Sequence, residues 1–225
     1  MPFFDDSGLR PEEEHSPIGR AFALIGDQLE RLVLLNIVWA LQLVPLIVSW
    51  AFPQIPAVLR VALTLYTIFA LIPATGMLFG VLHETSNGVP LDFDLMRAAL
   101  KEQFVPSLVK LLPLWSLFGW LALGASAAAA RGWLLFDALA RLLILLLAVV
   151  GLYWGPVMIA EPDQSAVGIF RQSVHLFLRK PAPTLGTGLV CLAAALLGTV
   201  SVAGLFLIVP VAVGLMQIQL LRAHN

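Results

Sequence analysis

Charged side chains are scarce in this 225-residue chain, where 13 Lys and Arg and 14 Asp and Glu together make up 12% of the residues. Soluble domains carry about 25% charged and about 45–50% apolar residues, whereas 60% of this chain is hydrophobic. So few charges cannot cover the surface of a soluble protein of this size. The composition therefore excludes an ordinary globular protein in water and indicates a membrane protein.

Cysteine and an excess of basic residues are missing as well. The single cysteine, Cys191, excludes an intramolecular disulfide and a metal centre built on several thiolates. A net charge of −1 gives no strongly basic surface for nucleic acid. The four histidines share no metal-ligand spacing, and the HExxH, CxxC, GxSxG and phosphate-loop motifs are absent. We therefore predict no catalytic residues, no cofactor and no metal, and we do not expect an enzyme.

Long apolar runs are what the sequence has in abundance. Each approaches the roughly 20 residues that a helix needs to cross a hydrocarbon core of about 30 Å. Because lipid cannot form hydrogen bonds with exposed backbone groups, the backbone must satisfy them itself, as it does in a helix. We predict an all-α, polytopic transmembrane helical bundle, a single domain at 32–222 that follows a cytoplasmic acidic leader at 1–31. The predicted spans are 32–52, 57–82, 105–129, 142–160, 184–201 and 203–221.

The last uncharged stretch, 184–221, leaves the number of spans open. It is long enough for two helices with a turn at 198–204, which gives six spans, or for one long or re-entrant element, which gives five. With six spans, ten of the 13 Lys and Arg lie on the side that holds both termini. The positive-inside rule then predicts a multi-pass protein of the bacterial inner membrane with both termini in the cytoplasm.

Two segments on the predicted cytoplasmic side have the period of amphipathic helices. In 91–104, one face holds Phe93, Met96, Leu100 and Phe104, and another holds Asp94, Arg97 and Lys101. Pro106 is expected to end this helix.

The second segment, 166–180, places apolar and basic side chains on opposite sides. Phe170, Val174 and Phe177 form the apolar side, and Arg171, His175 and Arg179 follow at i, i+4 and i+8 on the other. Pro181 and Pro183 are expected to end this helix. Both helices suit a position in the membrane interface. The predicted contacts to lipid or to a partner are Arg97, Lys101, Arg171, His175, Arg179 and Lys180.

Polar residues inside the predicted spans are neutral. Asn36, Gln42 and Thr75 are predicted to make hydrogen bonds between helices, and the alternative is that Asn36 and Gln42 line a polar path. No ionisable residue lies near the middle of a predicted span, which disfavours a carrier driven by protons or sodium ions. Two GxxxG pairs, Gly76/Gly80 and Gly151/Gly155, are weak indications of close helix packing.

Several short matches resemble the YesL-like family of small bacterial membrane proteins. They include Ile25-Gly26-Asp27, the run from Leu35-Asn36 to Pro45, Ile72-Pro73-Ala74-Thr75, the first amphipathic segment, and the run from Pro156 to Pro181. This sequence departs from the family in its longer acidic leader and between Pro45 and Pro73. The resemblance implies a helical membrane protein without assigned catalytic or binding residues, and an association with ABC-type sugar uptake.

Two functions follow as expectations. The first is an inner-membrane protein that is accessory to, or part of, carbohydrate uptake of the ABC type, with the lipid bilayer and ABC-type transport components as partners. The alternative is a non-transport scaffold or regulator that binds lipid or a partner protein through its cytoplasmic amphipathic helices. Nucleic acid is expected to be a partner in neither.

Overall fold

The computed structural model describes residues 29–201, 204, 206 and 208–223. Over these residues the chain is helical and contains no β-strand, which confirms the all-α bundle. The elements are α1 (Leu29–Ala40), a 3₁₀ turn (Leu41–Leu43), α2 (Val44–Ala51), α3 (Ala57–Ser86), α4 (Phe93–Ala130), α5 (Leu134–Gly151), α6 (Trp154–Ala160), α7 (Ala166–Arg179), α8 (Pro181–Val200) and α9 (Val209–Arg222). The predicted leader falls, up to residue 28, outside the described residues.

Five helical segments are long and apolar enough to cross a membrane. They are Leu29–Ala51, Ala57–Ser86, Phe93–Ala130, Leu134–Ala160 and Pro181–Gly198. The predicted turn at 198–204 and the start of the predicted sixth span include residues 202, 203, 205 and 207, which lie outside the described residues. The rest of that span corresponds to α9, whose 14 residues form a shorter apolar helix. At 1.5 Å per residue α9 rises about 21 Å, less than the roughly 30 Å of a hydrocarbon core.

Prolines break two of these segments near their ends. Pro45 is the second residue of α2, and the preceding turn tightens into a 3₁₀ helix. Pro156 lies in the first turn of α6, after the break at Leu152 and Tyr153. A proline lacks the N–H donor and clashes with the carbonyl four residues earlier, so each break falls where the helix cannot continue.

Pro106 does not end a helix, and that prediction was wrong. The 38-residue α4 runs through both Pro106 and Pro113, so the predicted amphipathic segment and the third span are one helix. The reason is packing on either side of Pro106, because Ala99 and Ser107 both contact α3 at its glycines. Tertiary contacts along a long helix outweigh the roughly 3 kcal/mol that an interior proline costs.

The buried face of α4 also differs from the prediction. Of the four residues on the predicted apolar face, Met96 is buried, whereas Phe93, Leu100 and Phe104 are exposed. Next to the glycines of α3 the buried residues of α4 are the small Ala99 and Ser107, because those glycines admit a close approach, and further along α4 the larger Leu111 and Leu114 are buried. Where lipid surrounds a helix, large apolar side chains need not point inward.

The second half of α3 is the centre of the bundle. Every residue from Ile72 to Leu82 is buried, and α1, α4, α6 and α9 pack around it. Its glycines lie in close contacts: a Cβ on Gly76 would lie 1.8 Å from Ser107 Oγ. On α6, which packs against α3, a Cβ on Gly155 would lie 2.1 Å from the ring of Phe79. Glycine is therefore needed at both positions for the helices to meet.

The outer surface of the bundle is apolar. In α8 the large exposed side chains are leucines, among them Leu185, Leu189, Leu192 and Leu196, whereas small or polar residues are buried, among them Thr184, Thr187 and Cys191. This arrangement suits a helix whose outer face meets lipid.

The fourth span begins earlier than predicted, at Leu134 and not at residue 142. Asp137 and Arg141 therefore lie within α5, where Arg141 Nε pairs with Asp137 Oδ1 at 2.8 Å.

Candidate functional site

The basic helix α7 is held rigidly against the bundle. The Ser165 hydroxyl caps its first turn by accepting a hydrogen bond from Gly168 N at 3.2 Å. Ile169, Ser173 and Leu176 form its buried face, and the Ser173 hydroxyl donates to Ile169 O at 2.7 Å. The predicted apolar residues Phe170 and Phe177 flank this face and pack, half-buried, against the same core. The helix therefore presents its opposite side in a fixed orientation.

That opposite side is cationic. Arg171, His175 and Arg179 are exposed, as the sequence period predicts. Their side chains make no hydrogen bond or ion pair with any described residue. A shallow surface depression runs along this face and includes Gln164, Arg171 and His175. We call Arg171, His175 and Arg179 the α7 cationic face.

Lys180 has a different role from the α7 cationic face. Its ammonium donates to the carbonyl of Ala223 at 2.7 Å, which ties the start of α8 to the end of α9. Arg222, which the sequence analysis did not single out, donates to Ser86 O at 3.0 Å and also to Asn87 Oδ1. These bonds bring the loop after α3, the start of α8 and the end of α9 together at one end of the bundle.

Arg97 and Lys101 lie on α4, apart from α7 in sequence. Both side chains are exposed, and neither bonds to a described residue. Asp92 begins this helix by accepting a hydrogen bond from Leu95 N at 2.7 Å. At 1.5 Å per residue α4 is about 57 Å long, so one or both of its ends extend beyond a hydrocarbon core of about 30 Å. No hydrogen bond or ion pair between described residues joins Arg97 or Lys101 to the α7 cationic face.

A polar network that the sequence analysis missed anchors the start of α7. The two carboxylate oxygens of Glu161 accept hydrogen bonds from the amide nitrogens of Gln164 and Gln172. Lys110 of α4 donates to the carbonyl of Pro162 in the same loop. Both glutamine carbonyl oxygens are buried and have no partner among the described residues. The sequence signal was an acidic break followed by two glutamines eight residues apart, which is too weak to single out.

The interior polar residues make three different contacts. Asn36 Oδ1 accepts a hydrogen bond from Val211 N at 3.0 Å, which joins α1 to α9. Thr75 Oγ1 accepts from Trp39 Nε1 at 3.0 Å, which joins α3 to α1. Gln42 instead donates to Val38 O, four residues earlier on its own helical segment. Asn36 is fully buried, whereas Gln42 is half-buried.

A cavity of about 270 Å³ lies beside the Trp39–Thr75 hydrogen bond. All five span-capable segments contribute to its wall, with Trp39, Thr75, Trp115, Trp154 and Ala195 as one representative of each. The short helix α9 adds Val213 and Gln217 to the wall. Within the described ranges, no three His, Cys, Asp or Glu side chains are grouped closely enough to hold a metal ion.

The arrangement offers two chemical surfaces. One is the α7 cationic face, whose two arginines suit the binding of an anionic surface, and the other is an apolar, tryptophan-rich interior. No protein-family model, no curated protein and no solved structure matches the chain. The resemblance to the YesL-like family therefore stays a prediction from the residues that suggested it.

Proposed function

We propose that this chain is a multi-pass protein of the bacterial inner membrane that serves as an accessory component of carbohydrate uptake of the ABC type. In this proposal the chain binds a partner and does not catalyse a reaction. Both termini lie in the cytoplasm, together with α7 and the start of α4. The partner is a cytoplasm-facing component of the transport system with an acidic surface.

The single observation that supports the proposal most is the α7 cationic face. Two arginines and a histidine on one exposed side of a helix, without hydrogen bonds or ion pairs to the described residues, give a docking surface whose helical backbone is held in place before a partner binds. Ile169, Ser173 and Leu176 fix the opposite side to the core, so little ordering entropy is lost when a partner binds. Exposed charges at the edge of an interface mainly speed the encounter with an oppositely charged partner and set which partner binds.

The alternative proposal is a scaffold or regulator whose cations hold anionic lipid headgroups. The exposed apolar residues beside Arg97 and Lys101 favour it, since Phe93, Leu100 and Phe104 are suited to the membrane interface. The two proposals differ in what the cations contact, a protein or a lipid. One set of variants separates them.

The test compares Arg171→Gln/Arg179→Gln with the control Arg131→Gln, which removes an exposed cation from the turn between α4 and α5. A deletion strain is supplied with each version and assayed for uptake of a panel of oligosaccharides. We expect uptake of at least one sugar to fall in the deletion strain and to be restored by the wild type and the control, but not by the double variant. Unchanged uptake across the panel in the deletion strain would contradict the accessory role.

The same proteins in nanodiscs distinguish the lipid alternative. Spin-labelled phosphatidylglycerol reports the number of anionic lipids held at the protein surface. Under the accessory proposal this number is equal for the double variant and the control. A loss confined to the double variant favours the lipid-binding scaffold instead.

A further inference from the structure

The tryptophan-rich cavity at the centre of the bundle is lined almost entirely by apolar side chains. Trp39, Trp115 and Trp154 contribute indole rings, and Thr75 and Gln217 are its polar side chains. No charged residue is among the described residues that line it. A charged ligand would lose its hydration there without gaining an ionic partner, so the lining favours a neutral ligand.

Two polar groups of the cavity wall are left without hydrogen bonds. Trp154 is 2% exposed, and its indole N–H has no acceptor among the described residues. The Gln217 side chain makes no hydrogen bond to another described residue. Thr75 differs, because its hydroxyl accepts from Trp39 and donates to Leu71 O at 2.8 Å. A buried donor without an acceptor is destabilising, so a ligand oxygen that accepts from Trp154 Nε1 would stabilise the complex.

The volume limits the size of the ligand. At about 270 Å³ the cavity lies just below the roughly 300–1,000 Å³ of pockets that hold drug-sized molecules. A sugar is disfavoured because its many hydroxyls would meet only a few polar partners. A hydrocarbon chain that ends in one or two neutral oxygens matches the volume, the apolar wall and the unsatisfied groups together.

We propose that this cavity binds a neutral, chain-like amphiphile whose oxygen hydrogen-bonds at Gln217 and Trp154 while its hydrocarbon packs against the indole rings. This chemistry is shared by a long-chain alcohol and by the ester end of a membrane lipid that inserts one acyl chain. The site is independent of the α7 cationic face and of any role in sugar uptake.

The experiment uses the cavity tryptophans as reporters. Trp50, Trp120 and Trp133 are exposed on the outside of the bundle. Changing these three to Phe leaves Trp39, Trp115 and Trp154 as the fluorescent residues, all of them in the cavity wall. This reporter protein is placed in phosphatidylcholine nanodiscs and titrated with a dibrominated long-chain alcohol or, separately, a dibrominated phosphatidylcholine, since bromine quenches tryptophan at short range.

Ala195→Phe fills the cavity from α8, and Ala193→Phe on the exposed side of the same helix is its matched control. We expect saturable quenching in the reporter and the control, and its loss in Ala195→Phe. Quenching by the alcohol identifies a free amphiphile as the source of the ligand, and quenching by the phospholipid alone identifies a bilayer lipid. Equal quenching in the two variants, or quenching that rises without saturation, overturns the proposal.

Gln217→Leu provides a second measurement that does not depend on whether Ala195→Phe folds. Loss of one hydrogen bond weakens binding about 2- to 10-fold, so the half-saturating concentration should rise by that factor with unchanged maximal quenching. An unchanged half-saturating concentration contradicts the assigned role of Gln217 and, with it, the ligand chemistry proposed here.

Discussion

Polar side chains inside the spans differ in how much they contribute to the stability of the fold, as Asn36 and Gln42 illustrate. Val211 is the third residue of α9, so its N–H belongs to the first turn and has no partner within the helix. Ile208, the residue before α9, has an apolar side chain that cannot cap the helix. The side-chain oxygen of Asn36 on α1 accepts the hydrogen bond from Val211 N instead. Gln42 bonds within its own segment and joins no second helix through that contact.

We therefore expect Asn36→Leu to lower the free energy of unfolding by about 1–3 kcal/mol, because it leaves a buried N–H unsatisfied. Gln42→Leu should change it by less than about 0.5 kcal/mol, the usual range for a substitution without such a partner. Thermal unfolding of the purified protein in one detergent compares the two variants directly. A loss of similar size in both would show that the cap across α1 and α9 contributes nothing.

At the scale of the elements, close approach between helices depends on glycine in α3. Gly76 faces Ser107 and Gln103 of α4, while Gly80 faces Gln103 and Ala99 one turn further on. In a membrane such small-residue contacts replace the hydrophobic driving force that water would supply. They also explain why α4 presents its small residues, and not Phe93 or Leu100, to the bundle.

Gly76→Ala tests this contact. Its new Cβ would lie 1.8 Å from Ser107 Oγ, 3.0 Å from Ser107 Cβ and 3.3 Å from Gln103 Cβ, so α4 must shift. Overpacking of this kind costs about 1–3 kcal/mol, which a midpoint of denaturant unfolding would register. Gly119→Ala is the control, because nothing lies within 4 Å of its Cβ position. A control variant that loses as much stability as Gly76→Ala would refute the close-packing argument.

The sequence predicted the elements better than their faces. Periodicity identified the exposed side of α7 correctly, because that helix has strong polar and apolar sides. Periodicity did not identify the buried face of α4, because an apolar side chain that faces lipid has the same hydropathy as one that faces the bundle. Pro106 misled for a related reason, since a local helix breaker is outweighed by contacts that only the folded bundle provides.

The cavity lay beyond sequence reasoning altogether. Its wall combines residues from the five span-capable segments and from α9, and nothing in the spacing of Trp39, Trp115 and Trp154 indicates that they meet. The bond between Arg222 and Asn87 is another contact between residues far apart in the chain. The resemblance to the YesL-like family supplied no site residues, so these groups emerge from the three-dimensional arrangement alone.

At the scale of the whole molecule, cations mark one end of the bundle. Lys180 and Arg222 join the loop after α3, the start of α8 and the end of α9 there. At the opposite end, the turn at Gly132, whose φ is +72°, connects α4 to α5. Arg131 lies over the Trp133 ring at 5.3 Å in this turn, which is a cation–π contact, and an exposed tryptophan at this end suits the aromatic belt of a membrane interface.

The difference in charge between the two ends predicts the orientation of the protein in the membrane. Because the chain has a single cysteine, that orientation can be measured by cysteine labelling. In a Cys191→Ser background, Arg131→Cys and Ala223→Cys each place one thiol at opposite ends of the bundle. Intact spheroplasts treated with a membrane-impermeant maleimide should label Arg131→Cys, whereas Ala223→Cys should react only after permeabilisation. The positive-inside rule requires this result, because the end that holds Lys180, Arg222 and Ala223 is the one rich in cations. Labelling of Ala223→Cys in intact spheroplasts would reverse the orientation, place the α7 cationic face outside the cell, and exclude a cytoplasmic partner for it.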